Sequence, residues 1–102
     1  MIHVIAAITA RPGRRDELIA GFRSILEPVR AEDGCIEYGT AVDLDTDIPA
    51  QAPGRPDVVT VVEKWESLDH LKAHLKAPHM EEFRSRVKEI VAGTSLTILE
   101  PA

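Results

Sequence analysis

The sequence predicts an α+β fold with strands and helices in the order β-α-β-β-α-β. Three observations predict it. Four segments rich in β-branched and apolar residues are bounded by turn residues. Two intervening segments repeat apolar residues at helical spacing. The chain has 102 residues, which fits a single domain spanning 1–102.

The elements follow in order. "MIHVIAAITA" reads as a strand over about residues 2–10, closed by the turn signal "RPG". Ile2, Val4, Ala6 and Ile8 share one face, and Ile5 and Ala7 the other, so both faces call for cover. Leu18, Ile19, Phe22, Ile25, Leu26 and Val29 predict a helix from about 14 to 32. Asp16 and Glu17 suit its first turn, Pro28 should kink its last turn, and Gly34 is placed to end it. "CIEYGTAVDL" reads as a second strand over about 35–43. "DTDIPAQAPGRPD" is a loop, long enough to border a binding site.

"VVTVVEKWE" is the strongest strand signal, over about 58–66. Ser67 can cap the next helix, whose buried face would centre on Leu68, Leu71 and Leu75. Pro78 stops that helix and can open another, so the second helix is split. Met80, Phe83, Val87, Ile90 and Val91 form the apolar stripe of the second piece, Gly93 ends it, and "TSLTILE" is the last strand. This is the ferredoxin-like pattern, one antiparallel sheet with helices on one side. Strands that are apolar on the far side as well suggest that two sheets pack together in a homodimer.

Composition excludes several classes. Net charge is -5, and phosphate contacts need a basic face, so no nucleic-acid partner is expected. No apolar run reaches ~18 residues, so no membrane span is expected. The single cysteine, Cys35, cannot form an intrachain disulfide, which fits a reducing, cytoplasmic setting.

Chemistry concentrates in "HLKAHLKAPHM", which holds three of the four histidines. His70 and His74 are four apart, a spacing that metal ligands can use, but no glutamate completes H-E-x-x-H. On the helical wheel His70 points toward solvent and His74 borders the buried face. His79 flanks the buried face of the next helix. His74 and His79 could therefore reach one cavity from two helices, where neutral histidine is the usual proton acceptor near pH 7. Trp65, Tyr38 and Glu63 are the other candidates. Glu63 lies on an apolar strand, so it must be ion-paired, at an edge or functional. No dinucleotide, P-loop or nucleophile-elbow motif is present, and no flavin or nicotinamide fingerprint.

Taken together, "AEDGCIEYGTAVD", "VVEKWESLDHLKAHLKAPHMEEF" and "LTILEP" resemble the antibiotic-biosynthesis monooxygenase domain family. The main cue is E-x-W-E-S followed by A-H-L-x-x-P-H-M. "RPG", "GCIEY" and the "AQAP" loop look like its bacterial quinol monooxygenase branch. The resemblance implies a dimeric α+β barrel whose members oxidise quinols or polyketide phenols with O2, without metal, flavin or haem. Some members instead degrade haem, using an Asn, Trp and His set. This chain has no asparagine, and its Trp65 precedes the helix where their tryptophan sits.

The implied chemistry needs a base, an apolar slot for the ring and a polar group for oxygen anions. The expectation is His74 or His79 as base, with Glu63 orienting a histidine. Tyr38 would hydrogen-bond the substrate, and Trp65, Met80 and Phe83 would line the slot. Two alternatives use the same cavity: an isomerase of a small oxygenated metabolite, and a dimeric module that binds a ligand without turning it over.

Overall fold

The computed structural model describes all 102 residues. The chain runs β1 (Ile2–Ala10), α1 (Arg15–Arg23), α2 (Leu26–Arg30), β2 (Cys35–Ala41), β3 (Val58–Trp65), α3 (Leu68–Lys76), α4 (Pro78–Val87) and β4 (Val91–Leu99). The strands form one sheet in the order β2-β3-β1-β4, and every pairing is antiparallel. This is the expected ferredoxin-like α+β fold.

The core lies between sheet and helices. Val4, Ala6, Ile8 and Ala10 of β1 meet Val59, Val61 and Trp65 of β3 under Leu18, Phe22, Leu71, Met80, Phe83 and Val87. Each fully buried Val, Leu or Phe contributes about 1.5–3 kcal/mol relative to exposure.

Two prolines set the helix breaks. The expected helix over 14–32 is two helices, interrupted at Ser24 and Ile25. In an unbroken helix Pro28 would face the Ser24 carbonyl with no N–H to give it, and its ring would clash there. The break therefore falls one turn before the proline, and the Ser24 hydroxyl bonds back to the Gly21 carbonyl at 2.6 Å. At the second break, Ala77 is extended (φ -61, ψ 140), as a residue before proline must be. It closes α3 and opens α4, its carbonyl accepting from the N–H groups of Met80 and Glu81. The split at Pro78 is thus as expected.

The expectation that a helical stripe extends through Ile90 and Val91 to Gly93 is corrected. α4 ends at Val87, and Gly93 lies inside β4, opposite Thr9. Backbone and side chains near the end of β1 take the chain out of the helix. The Arg11 N–H donates to the Ile90 carbonyl at 2.7 Å, and the guanidiniums of Arg11 and Arg14 donate to the Glu89 carbonyl at 3.0 and 3.3 Å.

The far face of the sheet is also less apolar than expected. It carries Ile5, Ala7 and Val62, but with His3, Thr9, Thr60, Ser95 and Thr97, and with the Lys64–Glu37 ion pair at 3.0 Å. Large exposed apolar side chains include Ile5 and Leu99 on that face, Ile36 on β2, and Leu96 and Ile98 on β4. Leu96 and Ile98 pair with Ala6 and Val4, so they project to the helical side, past the helical cover.

Candidate active site

The site is a cavity of about 350 Å³ between the helical layer and the sheet. Its wall is mostly apolar, built from Ala6, Ile8 and Val61 below and Phe22, Met80, Phe83 and Val87 above. Polar side chains line it from both layers: Tyr38 from β2, Glu63 from β3 and Thr94 from β4, with His74 from α3, Arg84 from α4 and Lys88 just beyond α4.

His74 is more deeply placed than the wheel implies. It is 2% exposed, whereas Leu68 is 46% exposed. The buried face of α3 centres on Leu71 and His74, and Leu68 and Leu75 flank it. The imidazole lies against Trp65 (ring centroids 4.6 Å) and edge-on to Tyr38 (5.6 Å). Its Nδ1 is 2.8 Å from Oε2 of Glu32. A carboxylate there accepts, so Nδ1 carries the proton and donates it. Nε2 has no partner within the protein, and no buried side-chain nitrogen or oxygen is left unpaired and enclosed. Nε2 therefore opens into the cavity as an acceptor. Burial lowers the pKa of His74, the Glu32 carboxylate opposes that, and His79 and Arg84 reinforce it.

His79 meets the same carboxylate from α4, with Nε2 2.9 Å from Oε2 of Glu32. It does not line the cavity, and its side chain is 30% exposed. The two histidines are thus brought together by Glu32, a residue that the sequence did not single out. Glu32 lies in the turn between α2 and β2, and its side chain is 13% exposed. Its only local signal is that it directly precedes "DGC", the entry to β2.

Glu63 does not orient a histidine, contrary to expectation. Its Oε1 accepts from Nε1–H of Trp65 at 2.9 Å. No protein group bonds its Oε2, which by the same reasoning opens into the cavity. Burial raises its pKa from 4.5 to about 7, Glu32 adds to this, and the Trp65 hydrogen bond works against it. Tyr38 sits opposite Glu63 in the β2–β3 register. Burial, with Glu63 and Glu32 nearby, pushes its pKa well above 10.0, so its hydroxyl remains a donor.

Trp65 is corrected in position. It is fully buried beneath His74 and does not line the cavity, whereas Met80 and Phe83 do. Phe22, packed on Phe83 with centroids 4.7 Å apart, also lines it and was not anticipated. His70 is only partly solvated. Its Nδ1 lies 2.7 Å from the Ser67 hydroxyl, and its ring packs against Gly34. Residues 45–57 do not reach the cavity. That loop is tied down by Arg55 on Asp43 at 2.7 Å. No three His, Cys, Asp or Glu side chains are grouped to hold a metal ion. One nitrogen of each histidine, Nδ1 of His74 and Nε2 of His79, meets the same carboxylate oxygen of Glu32.

Fold and site together define a ferredoxin-like α+β domain with a largely apolar cavity under its helices. The chain belongs to the antibiotic biosynthesis monooxygenase family, whose profile matches residues 1–86. It is 38% identical to the protein called probable quinol monooxygenase YgiN in Escherichia coli K12, across 99% of this chain and 98% of that one. The structure of Rv0793 from Mycobacterium tuberculosis superposes with a TM-score of 0.80 at 28% identity, covering 99% of this chain and 94% of the other. The crystal structure of PA3566 from Pseudomonas aeruginosa gives 0.81 at 24% identity, covering 99% and 93%, and supports the fold alone.

Proposed function

We propose that this protein is a cofactor-independent monooxygenase that oxidises a quinol or a related phenolic aromatic with O2. The observation that carries the reading is the buried His74, with Nδ1 held by Glu32 and Nε2 open to an apolar cavity. A phenol entering between Phe22, Met80 and Phe83 would give its proton to His74 Nε2. The resulting phenolate is electron-rich enough to pass an electron to O2. Joining of the two radicals on a ring carbon forms a peroxide, whose cleavage leaves one oxygen on the ring and releases the other as water. A hydroquinone thus becomes a hydroxyquinone, and O2 supplies the oxidising equivalents. The Tyr38 hydroxyl would donate to the developing oxygen anion, and Trp65 would support the imidazole from beneath. Oxygen uptake with menadiol, corrected for autoxidation, tests the reading.

A second reading draws on Glu63. A carboxyl that titrates at about 7 in the same cavity as His74 is a ready partner for acid–base chemistry in an isomerase acting on a small oxygenated metabolite. Turnover under strict anaerobiosis would favour it. A homodimer is part of the proposal, supported by Leu96 and Ile98, which stand exposed beyond the helical cover. So is a cytoplasmic setting, which rests on the lone free Cys35.

A further inference from the structure

We infer that Glu32 is a positioning residue for His74, and that His79 holds Glu32 in place by donating to the same oxygen. This rests on the reading of His74 as the base. The three side chains come from the α2–β2 turn, α3 and α4, and they meet at one atom, Oε2 of Glu32, at 2.8 and 2.9 Å.

Free histidine favours the tautomer with its proton on Nε2. That tautomer would present an N–H to the cavity and could accept nothing from a phenol. A carboxylate at Nδ1 selects the other tautomer and turns the Nε2 lone pair inward. Glu32 would also stabilise the imidazolium formed when His74 takes the substrate proton, because opposite charges at this distance attract strongly away from water. A flexible glutamate at a helix end would perform this poorly if it were tethered only once. The His79 bond ties the carboxylate to α4 as well, and that tie explains why a histidine outside the cavity is still part of the arrangement.

The test is a ring-nitrogen NMR titration of His74 in the ligand-free protein, alongside kcat for menadiol oxidation, in wild type, Glu32→Gln and His79→Gln. The titratable and charged groups around His74 are Glu32, His79 and Arg84, with Tyr38 and Glu63 across the cavity. In Glu32→Gln the favourable charge is gone. The His74 midpoint should fall further, and kcat at pH 8 should drop at least about tenfold, with KM little changed. In His79→Gln the tether on Glu32 is weakened, so the share of His74 protonated at Nδ1 and kcat should both fall, by less than in Glu32→Gln. A joint loss of the Nδ1–H tautomer and of kcat at unchanged KM is not expected of a merely structural role.

If Glu32→Gln does not fold, Glu32→Asp keeps the charge but withdraws it by one methylene. It should give a smaller fall in the midpoint. An unchanged His74 tautomer and midpoint in the Glu32 variant would overturn the inference. If the midpoints move as expected but the wild type consumes no oxygen with menadiol, the positioning stands and the quinol reading fails.

Discussion

Oε2 of Glu32 lies 2.8 Å from Nδ1 of His74, although 42 residues separate them in the chain. This one bond fixes which imidazole nitrogen faces the cavity. It also separates the roles of the two histidines: His74 faces the cavity and His79 stands behind the carboxylate.

Replacing His74 should abolish most turnover. His74→Gln removes the base and should lower kcat by about 10²–10⁴-fold, with the circular dichroism spectrum retained. His79→Ala should cost less, because His79 does not line the cavity. Equal losses in the two variants would contradict the division.

Glu63 should make stability fall as pH rises. Its folded-state pKa of about 7 is above its ordinary 4.5, so the folded protein holds a proton that the unfolded chain has released. The protonated form's advantage is complete below about 4.5 and is lost by about 7, a loss of about 3 kcal/mol. His74 acts in the opposite direction. Its pKa is depressed from 6.5, so its contribution is present above that value and is lost on acidification. Glu63→Gln should therefore gain stability relative to wild type between pH 5 and pH 8. Urea melts at the two pH values measure this, and parallel pH dependence in the two proteins would refute it.

Trp65 offers a direct view of Glu63. It is the only tryptophan, and its indole N–H bonds the Glu63 carboxylate at 2.9 Å. Intrinsic fluorescence should titrate with a midpoint near 7, and the transition should disappear in Glu63→Gln. A transition that persists in that variant would assign it to another group.

Gly34 should tolerate no side chain. Its φ is 80°, and an added Cβ would lie 2.3 Å from the His70 ring. Gly34→Ala should cost about 2–4 kcal/mol, from backbone strain of about 1–2 kcal/mol plus overpacking. His70→Ala should recover the packing part alone. Additive losses in the double variant would show that the two residues do not touch.

Sedimentation at micromolar concentration should give twice the 11.2 kDa chain mass. Leu96→Lys with Ile98→Lys should shift the species toward monomer. A wild-type protein that sediments as a folded monomer would remove the homodimer from the proposal.

Much of the fold was legible because strand signals and prolines act locally. β-branched runs marked β1 and β3, and Pro78 marked the split between α3 and α4 to the residue. The end of α4 was not legible. Val87, Ile90 and Val91 continue a helical stripe, and only the long-range bonds from Arg11 and Arg14 to the carbonyls of Ile90 and Glu89 draw the chain into β4.

The candidate site was readable in its residue types but not in its connections. His74, Tyr38, Glu63, Met80 and Phe83 do line one cavity. The burial of His74 was hidden because a wheel weighted by leucines points to Leu68 and Leu75, which sit at the margin of the helix–sheet contact. Glu32 was hidden because an acid at a helix end reads as a solvated residue. Only the fold brings it to histidines 42 and 47 positions later.

The most direct measurement is oxygen consumption with menadiol at pH 8, comparing wild type, His74→Gln and a protein-free control. Wild type should consume oxygen well above the autoxidation rate, and His74→Gln should return to within a few per cent of the control. Uptake by wild type no faster than the control, or full uptake by His74→Gln, would contradict the proposal that His74 serves as base for a quinol monooxygenase.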